Sequence, residues 1–148
     1  MKKGIDHIGV CIVFFCHDGK GNFLLGKRSK RCRDEHGRWD PGGGGINFKE
    51  PVLAALQREI KEEYTTTIET AEFLGFRDVH RKDEKGRKTH WISLDFKALV
   101  DRKKVTNGEP KKQEEIGWFR LENLPHPIHS QFPKFLKKYK TLLQVSVE

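Results

Sequence analysis

Four consecutive glycines, Gly42 to Gly45, run shortly ahead of a segment that carries Glu50, Arg58, Glu59, Glu62 and Glu63. Pro51 suits a first helical turn, where its missing N–H would have no partner anyway, and Glu50 stands at or next to the cap. Leu53, Leu56 and Ile60 then recur at helical spacing, with Ala54 and Ala55 beside them. The reading is a helix with one side on a core and the other turned to solvent. Residues three and four apart share a face, so Glu59 is brought against both Glu62 and Glu63. Like charges placed so repel one another, and folds tolerate them when a cation sits between them. Hard divalent ions, Mg²⁺ or Mn²⁺, take carboxylate, carbonyl and water oxygens, usually with substrate phosphates. A bare glycine turn beside an acidic helix face therefore points to metal-assisted phosphate chemistry.

The rest of the chain supplies a sheet for that helix. Ile8 to Cys16 is a continuous apolar and β-branched run, the pattern of a buried strand. A turn from His17 to Asn22 returns it as a second strand over Phe23 to Lys27, and Arg28 to Arg38 is basic and loop-like. Ile68 to Phe76 pairs with Thr89 to Val100 through a tip at Asp83 to Arg87. Ile92, Leu94 and Phe96 alternate with polar residues, which argues a half-buried strand. A charged loop from Val105 to Glu115 precedes a short strand from Ile116 to Leu121 and a turn at Pro125 to Pro127. Pro133 to Val145 reads as an amphipathic helix through Phe135, Leu136, Tyr139, Leu142 and Leu143. The expected class is α/β: a mixed central sheet between helices, an α/β/α sandwich, in one domain over residues 1–148.

Composition narrows the setting. A chain of 148 residues buries roughly two-thirds of its unfolded surface. No apolar run has the length of a membrane span, and Met1, Lys2, Lys3, Gly4 lack the apolar stretch of a secretory signal. Cys11, Cys16 and Cys32 form no ligand-like pairing, so reduced thiols in a cytoplasmic protein are expected. A net charge of +8 suits a polyanionic partner such as a phosphorylated substrate. His126 and His129 share a proline-flanked segment, but nothing supplies a third ligand.

The spacing Gly44, Glu50, Arg58, Glu59, Ile60, Glu62, Glu63 resembles the signature box of the Nudix hydrolases, which cleave pyrophosphate linkages in nucleoside diphosphate derivatives. Trp39, Asp40, Pro41 and the glycines resemble the segment that leads into that box, with Pro41 one place early and Gly42 where proline is common. That shift suggests a more flexible loop. After Tyr64 the family pattern has a glycine, where this chain has Thr65. A β-branched residue suits a left-handed helix end poorly, so the end of the helix is expected to differ.

The resemblance implies roles. Glu59, Glu62 and Glu63 would be metal ligands for Mg²⁺ (or Mn²⁺), completed by a carbonyl of Gly43 or Gly44. Glu50 and Arg58 would orient helix and leading loop by a charge-assisted contact, and Glu50, Arg58, Glu59 and Glu62 form the catalytic set. The base for the attacking water is one of the glutamates or an acid from another loop; Glu109, Glu114 and Glu115 precede a strand, with Glu114 or Glu115 favoured. Arg28, Trp39 and Phe48 stand as substrate contacts; Trp91 and Trp118 could also stack a base or simply pack.

The segment Glu109 to Pro125 resembles, more loosely, MutT-like enzymes that convert an NTP or dNTP to monophosphate and pyrophosphate. An ADP-ribose or other sugar-nucleotide pyrophosphatase is the enzymatic rival. Basic clusters at Lys27 to Arg33, Arg81 to Lys88 and Lys134 to Lys140 motivate a different class, a nucleotide- or RNA-binding module with little turnover. The intact glutamates weigh against it. A homodimer is common among enzymes of this resemblance.

Overall fold

A computed structural model describes residues 1–144, so the expected helix end at Val145 lies outside them. Seven strands form one mixed sheet: β1 (Gly9–His17), β2 (Asn22–Arg28), β3 (Trp39–Asp40), β4 (Gly43–Gly45), β5 (Ile68–Lys82), β6 (Lys88–Val100) and β7 (Gln113–Arg120). The order β3-β2-β1-β6-β5 places β1 at the centre, parallel to β6 and antiparallel to β2, while β4 also pairs β1 and β7 pairs β2. Helix α1 (Val52–Tyr64) lies on one face; α2 (Phe132–Lys138) and the short α3 (Lys140–Leu143) lie on the other.

Strand alternation divides the core in two. Ile12, Phe14 and Cys16 of β1, with Leu24 and Phe96, meet Ala55, Leu56, Ile60 and Tyr64 of α1. Phe15, Phe23 and Leu25 meet Phe132, Phe135, Tyr139 and Leu143 on the opposite face. Both faces of the central strands are covered, which is why their apolar runs are nearly continuous.

Several boundaries differ from the sequence reading. Ile8 and Val10 are exposed, so the apolar side chains of β1 begin their burial at Cys11 and Ile12. The acidic helix packs through Leu56, Ile60 and Tyr64, four residues apart, with Ala55 beside them, whereas Leu53 lies off that face and is 64% exposed. In β6 the polar residues between the apolar ones do not face water. Ser93 and Asp95 are buried, and Asp95 takes two bonds from Arg77 at 2.7 and 3.0 Å, one from Ser93 at 2.7 Å, and one from the Tyr139 hydroxyl. The C-terminal helix is interrupted at Tyr139, whose buried hydroxyl is committed to that aspartate. Among the described residues no helix is long and apolar enough to cross a membrane, and Cys11, Cys16 and Cys32 are unbridged.

Candidate functional site

The glycine run is a strand rather than a flexible turn. Gly43, Gly44 and Gly45 pair with Val13, Ile12 and Cys11 of β1. Phe14 N–H donates to the Gly42 carbonyl at 3.1 Å and Ile46 N–H to the Val10 carbonyl at 3.1 Å. Bonded and unbonded pairs alternate along an antiparallel ladder, so the Gly43 main chain, opposite Val13, points its N–H and C=O away from β1. The acidic helix lies against this strand so closely that a Cβ on Gly44 would sit 2.3 Å from Glu59 Oε1. Only a residue without a side chain permits that approach.

On the helix, Arg58 organises the glutamates. Its Nε and Nη2 hold Glu50 in a two-pronged contact at 2.8 and 2.9 Å, and Nη2 also reaches the Gly45 carbonyl at 3.2 Å. Its Nη1 reaches Glu59 at 2.7 Å and Glu62 at 3.5 Å. That guanidinium pulls the Glu50 carboxyl down to about 2. Glu59 goes the other way: burial raises it against the pull of Arg58, aided by Glu62 and Glu109. Glu63 is driven well above the usual carboxylate range by burial and then by Asp40, Glu59 and Glu109, with the Gly43 N–H opposing. Its Oε2 is shielded from solvent and has no hydrogen-bond partner among the described residues. Glu62 is half exposed.

The helix ends as a glycine would end it, contrary to the expectation at Thr65. Thr65 adopts the left-handed conformation (φ 58°, ψ 17°) and its N–H donates to the Lys61 carbonyl at 2.9 Å. The following loop caps two more carbonyls: Thr106 N–H donates to Tyr64 at 3.1 Å and Gly108 N–H to Glu63 at 2.9 Å. The Thr65 and Thr106 hydroxyls meet at 2.6 Å. This docking brings the next residue, Glu109, near enough to raise Glu59 and Glu63. The extra acid beside the box is therefore Glu109. Glu114 instead pairs with Lys27 at 3.4 Å in a half-exposed position, and Glu115 lies exposed on β7.

A cleft of about 600 Å³ opens beside Glu63 and Gly42 to Gly45. Arg28, Arg33, Arg77, Arg81 and Lys82 contribute cations to its wall, Asp40 an acid, and Trp91 an indole. Arg28 is held by Asp34 at 3.0 Å and Asp40 at 3.2 Å; burial lifts Asp40 to about 6 against the pull of Arg28. Of the three substrate contacts read from sequence, Arg28 lines the cleft. Trp39 does not: it is 7% exposed and packs edge-on against Phe119, with ring centroids 5.1 Å apart. Successive strand residues face opposite ways, so with Trp39 in the core it is Asp40 that lines the cleft. Phe48 is 89% exposed in the loop before α1 and does not line the cleft. Asp40 escaped notice because its neighbour carried the recognisable signal.

Comparison with known proteins places this arrangement. The NUDIX domain matches residues 6–139. A MutT NUDIX hydrolase from Burkholderia pseudomallei is similar at 32% identity and TM-score 0.73, over 88% of this chain and 96% of that one. A MutT protein from Methanosarcina mazei Go1 (24% identity, TM-score 0.69, 90% and 93% coverage) and a mutator MutT protein from Bacillus halodurans (20%, 0.67, 93% and 83%) share the fold. With Glu59 packed against the glycine strand and the family match spanning nearly the whole sequence, the chain belongs to the Nudix hydrolases, enzymes that act on phosphoanhydride bonds.

Proposed function

We propose that this protein hydrolyses a nucleoside triphosphate, ribo or deoxy, between the α and β phosphorus atoms to give the monophosphate and pyrophosphate. The observation that carries the reading is the buried Oε2 of Glu63, without a hydrogen-bond partner among the described residues, in the wall of a cation-lined cleft. An anionic oxygen stripped of water and of donors is costly unless a cation meets it. The donor set suits Mg²⁺ or Mn²⁺: Glu59, Glu62 and Glu63, the outward Gly43 carbonyl, and Glu109 close by. Such an ion supplies neutralisation of phosphate charge and a lowered pKa for water.

The chain's own residues do the rest. Arg58 holds Glu59 and Glu62 on one side and Glu50 on the other, which fixes the acidic face relative to β4. Arg28, Arg33 and Arg81 line the cleft where the phosphates and ribose of a bound nucleotide would lie, and Trp91 offers an apolar face for the base. Either Glu109 or a glutamate of the box takes the proton of the attacking water.

The test is a substrate panel with Mg²⁺: NTPs and dNTPs, ADP-ribose, dinucleoside polyphosphates and capped RNA, with products separated by chromatography. Monophosphate and pyrophosphate from a triphosphate, abolished in Glu63→Gln, support the reading. Preferential cleavage of ADP-ribose would replace it with the sugar-nucleotide activity. Salt-sensitive RNA binding without turnover on any compound would replace it with the binding module.

A further inference from the structure

The long β5–β6 ribbon carries a second group of donors unrelated to the glutamate box. Asp78, His80 and His90 each offer one ligand atom, and these atoms all lie within 4.8 Å of one another. The strands set the grouping: His80 stands directly across from His90, and Asp78 lies two residues along the same strand, hence on the same face. The two imidazoles stack with centroids 4.2 Å apart, and His90 Nε2 meets Asp78 Oδ1 at 2.9 Å. The main chain of His90 is pinned further by its N–H, which donates to the Gly4 carbonyl at 2.8 Å.

We propose that Asp78, His80 and His90 form a surface site for a borderline transition-metal ion of the Zn²⁺ class, which clips β5 to β6. Zn–N bonds of about 2.0–2.1 Å in a tetrahedron put ligand atoms roughly 3.3 Å apart. Side-chain rotation is free to close that spread and unstack the imidazoles, because Asp78 and His80 are exposed and His90 is half-buried. Three protein ligands leave a fourth position for water. The chemistry differs from that of the box, where oxygen donors favour hard ions. Lys88 lies two residues from His90 toward the ribbon tip, on the same face of the strand. Its charge works against any cation held by electrostatics alone, so Mg²⁺ gains little here, while imidazole coordination retains Zn²⁺. On the opposite side of the same two strands, Val79, Arg81 and Trp91 wall the cleft. A clip on the outer face therefore stiffens the wall that receives the substrate.

The experiment is a Zn²⁺ titration by calorimetry at pH 7.5 in excess Mg²⁺, which keeps the carboxylate box occupied, on wild type and on His80→Asn, His90→Asn and the double variant. Expected are one Zn²⁺ per chain in wild type, affinity lowered by at least about tenfold in each single variant, and a Zn²⁺-dependent rise in Tm that the double variant lacks. Magnesium-supported hydrolysis, measured in parallel, checks that the variants are folded. Equal Zn²⁺ affinity in wild type and the double variant, or binding that leaves the wild-type Tm unmoved, would overturn the proposal.

Discussion

Arg58 grips Glu50 with two nitrogens, Nε at 2.8 Å and Nη2 at 2.9 Å, across the eight residues that separate the leading loop from the middle of α1. The planar fork is what allows this while a third nitrogen serves Glu59. Arg58→Lys keeps the charge and loses the fork. It is expected to lower kcat by up to about 10²-fold with little change in the far-ultraviolet spectrum, as steady-state kinetics and circular dichroism would show.

Glu63→Gln separates chemistry from folding. Burial raises the Glu63 pKa above its ordinary 4.5, so its contribution to stability is present below that pH and is lost as pH rises through the folded value. Without metal, the glutamine variant is expected to melt above wild type at pH 8 and with it at pH 4. Added Mg²⁺ should raise the wild-type Tm and leave the variant unmoved, while activity falls by several orders of magnitude. Scanning calorimetry with EDTA and with Mg²⁺ measures both.

Thr65 holds a left-handed conformation that a β-branched residue adopts at a cost. Thr65→Gly relieves it, partly offset by the freedom glycine gains in the unfolded chain and by the lost Thr106 contact. A net gain of about 1 kcal/mol is expected in urea unfolding at unchanged m-value.

His129 and Glu35 tie the loop after β2 to the segment before α2. Burial pushes His129 down to about 4, although Glu35 pulls it upward, and the Ser130 hydroxyl and His129 hold Glu35 low against its own burial. A base whose folded pKa is depressed loses stability as pH falls from 6.5 toward 4, because the unfolded chain takes the proton first; a depressed carboxylate adds a loss of the same sign below 4.5. This pair therefore contributes a drop in unfolding midpoint between pH 6.5 and 4, opposed by the raised carboxyls of Asp40 and Glu63. His129→Gln should remove the upper part of that contribution, so the variant should lose less stability than wild type between pH 6.5 and 4 when the two are unfolded side by side.

Leu56 is fully buried against the central strands. Leu56→Ala is expected to cost about 2–5 kcal/mol in denaturant unfolding while kcat of the folded fraction is retained, the reverse of Glu63→Gln.

The box and its helix were legible because their signal is local: a fixed spacing on a single element decides which glutamates share a face. What escaped depends on distant parts of the chain. Glu109 is brought to the box by Gly108, which donates to the last turn of α1; a Cβ at Gly108 would lie 2.2 Å from the Glu62 carbonyl oxygen. Nothing within Val105 to Glu115 singles out that residue over Glu114. Leu53 followed the apolar pattern but lies off the face that Ala55, Leu56 and Ile60 bury, and Tyr64 extends that face with a polar-tipped ring whose hydroxyl donates to the Pro41 carbonyl. Ser93 and Asp95 carry the alternation of a half-exposed strand, and it is Arg77 and Tyr139, distant in sequence, that engage them.

The hydroxyl of Tyr139 ends on Asp95, 44 residues earlier in the chain. A protease cut ahead of that tyrosine would therefore do more than shorten the molecule. It would take a donor from a buried carboxylate whose principal ally, Arg77, lines the cation-walled cleft. On the proposed function, damage at the tail would be felt as lost grip on the nucleotide.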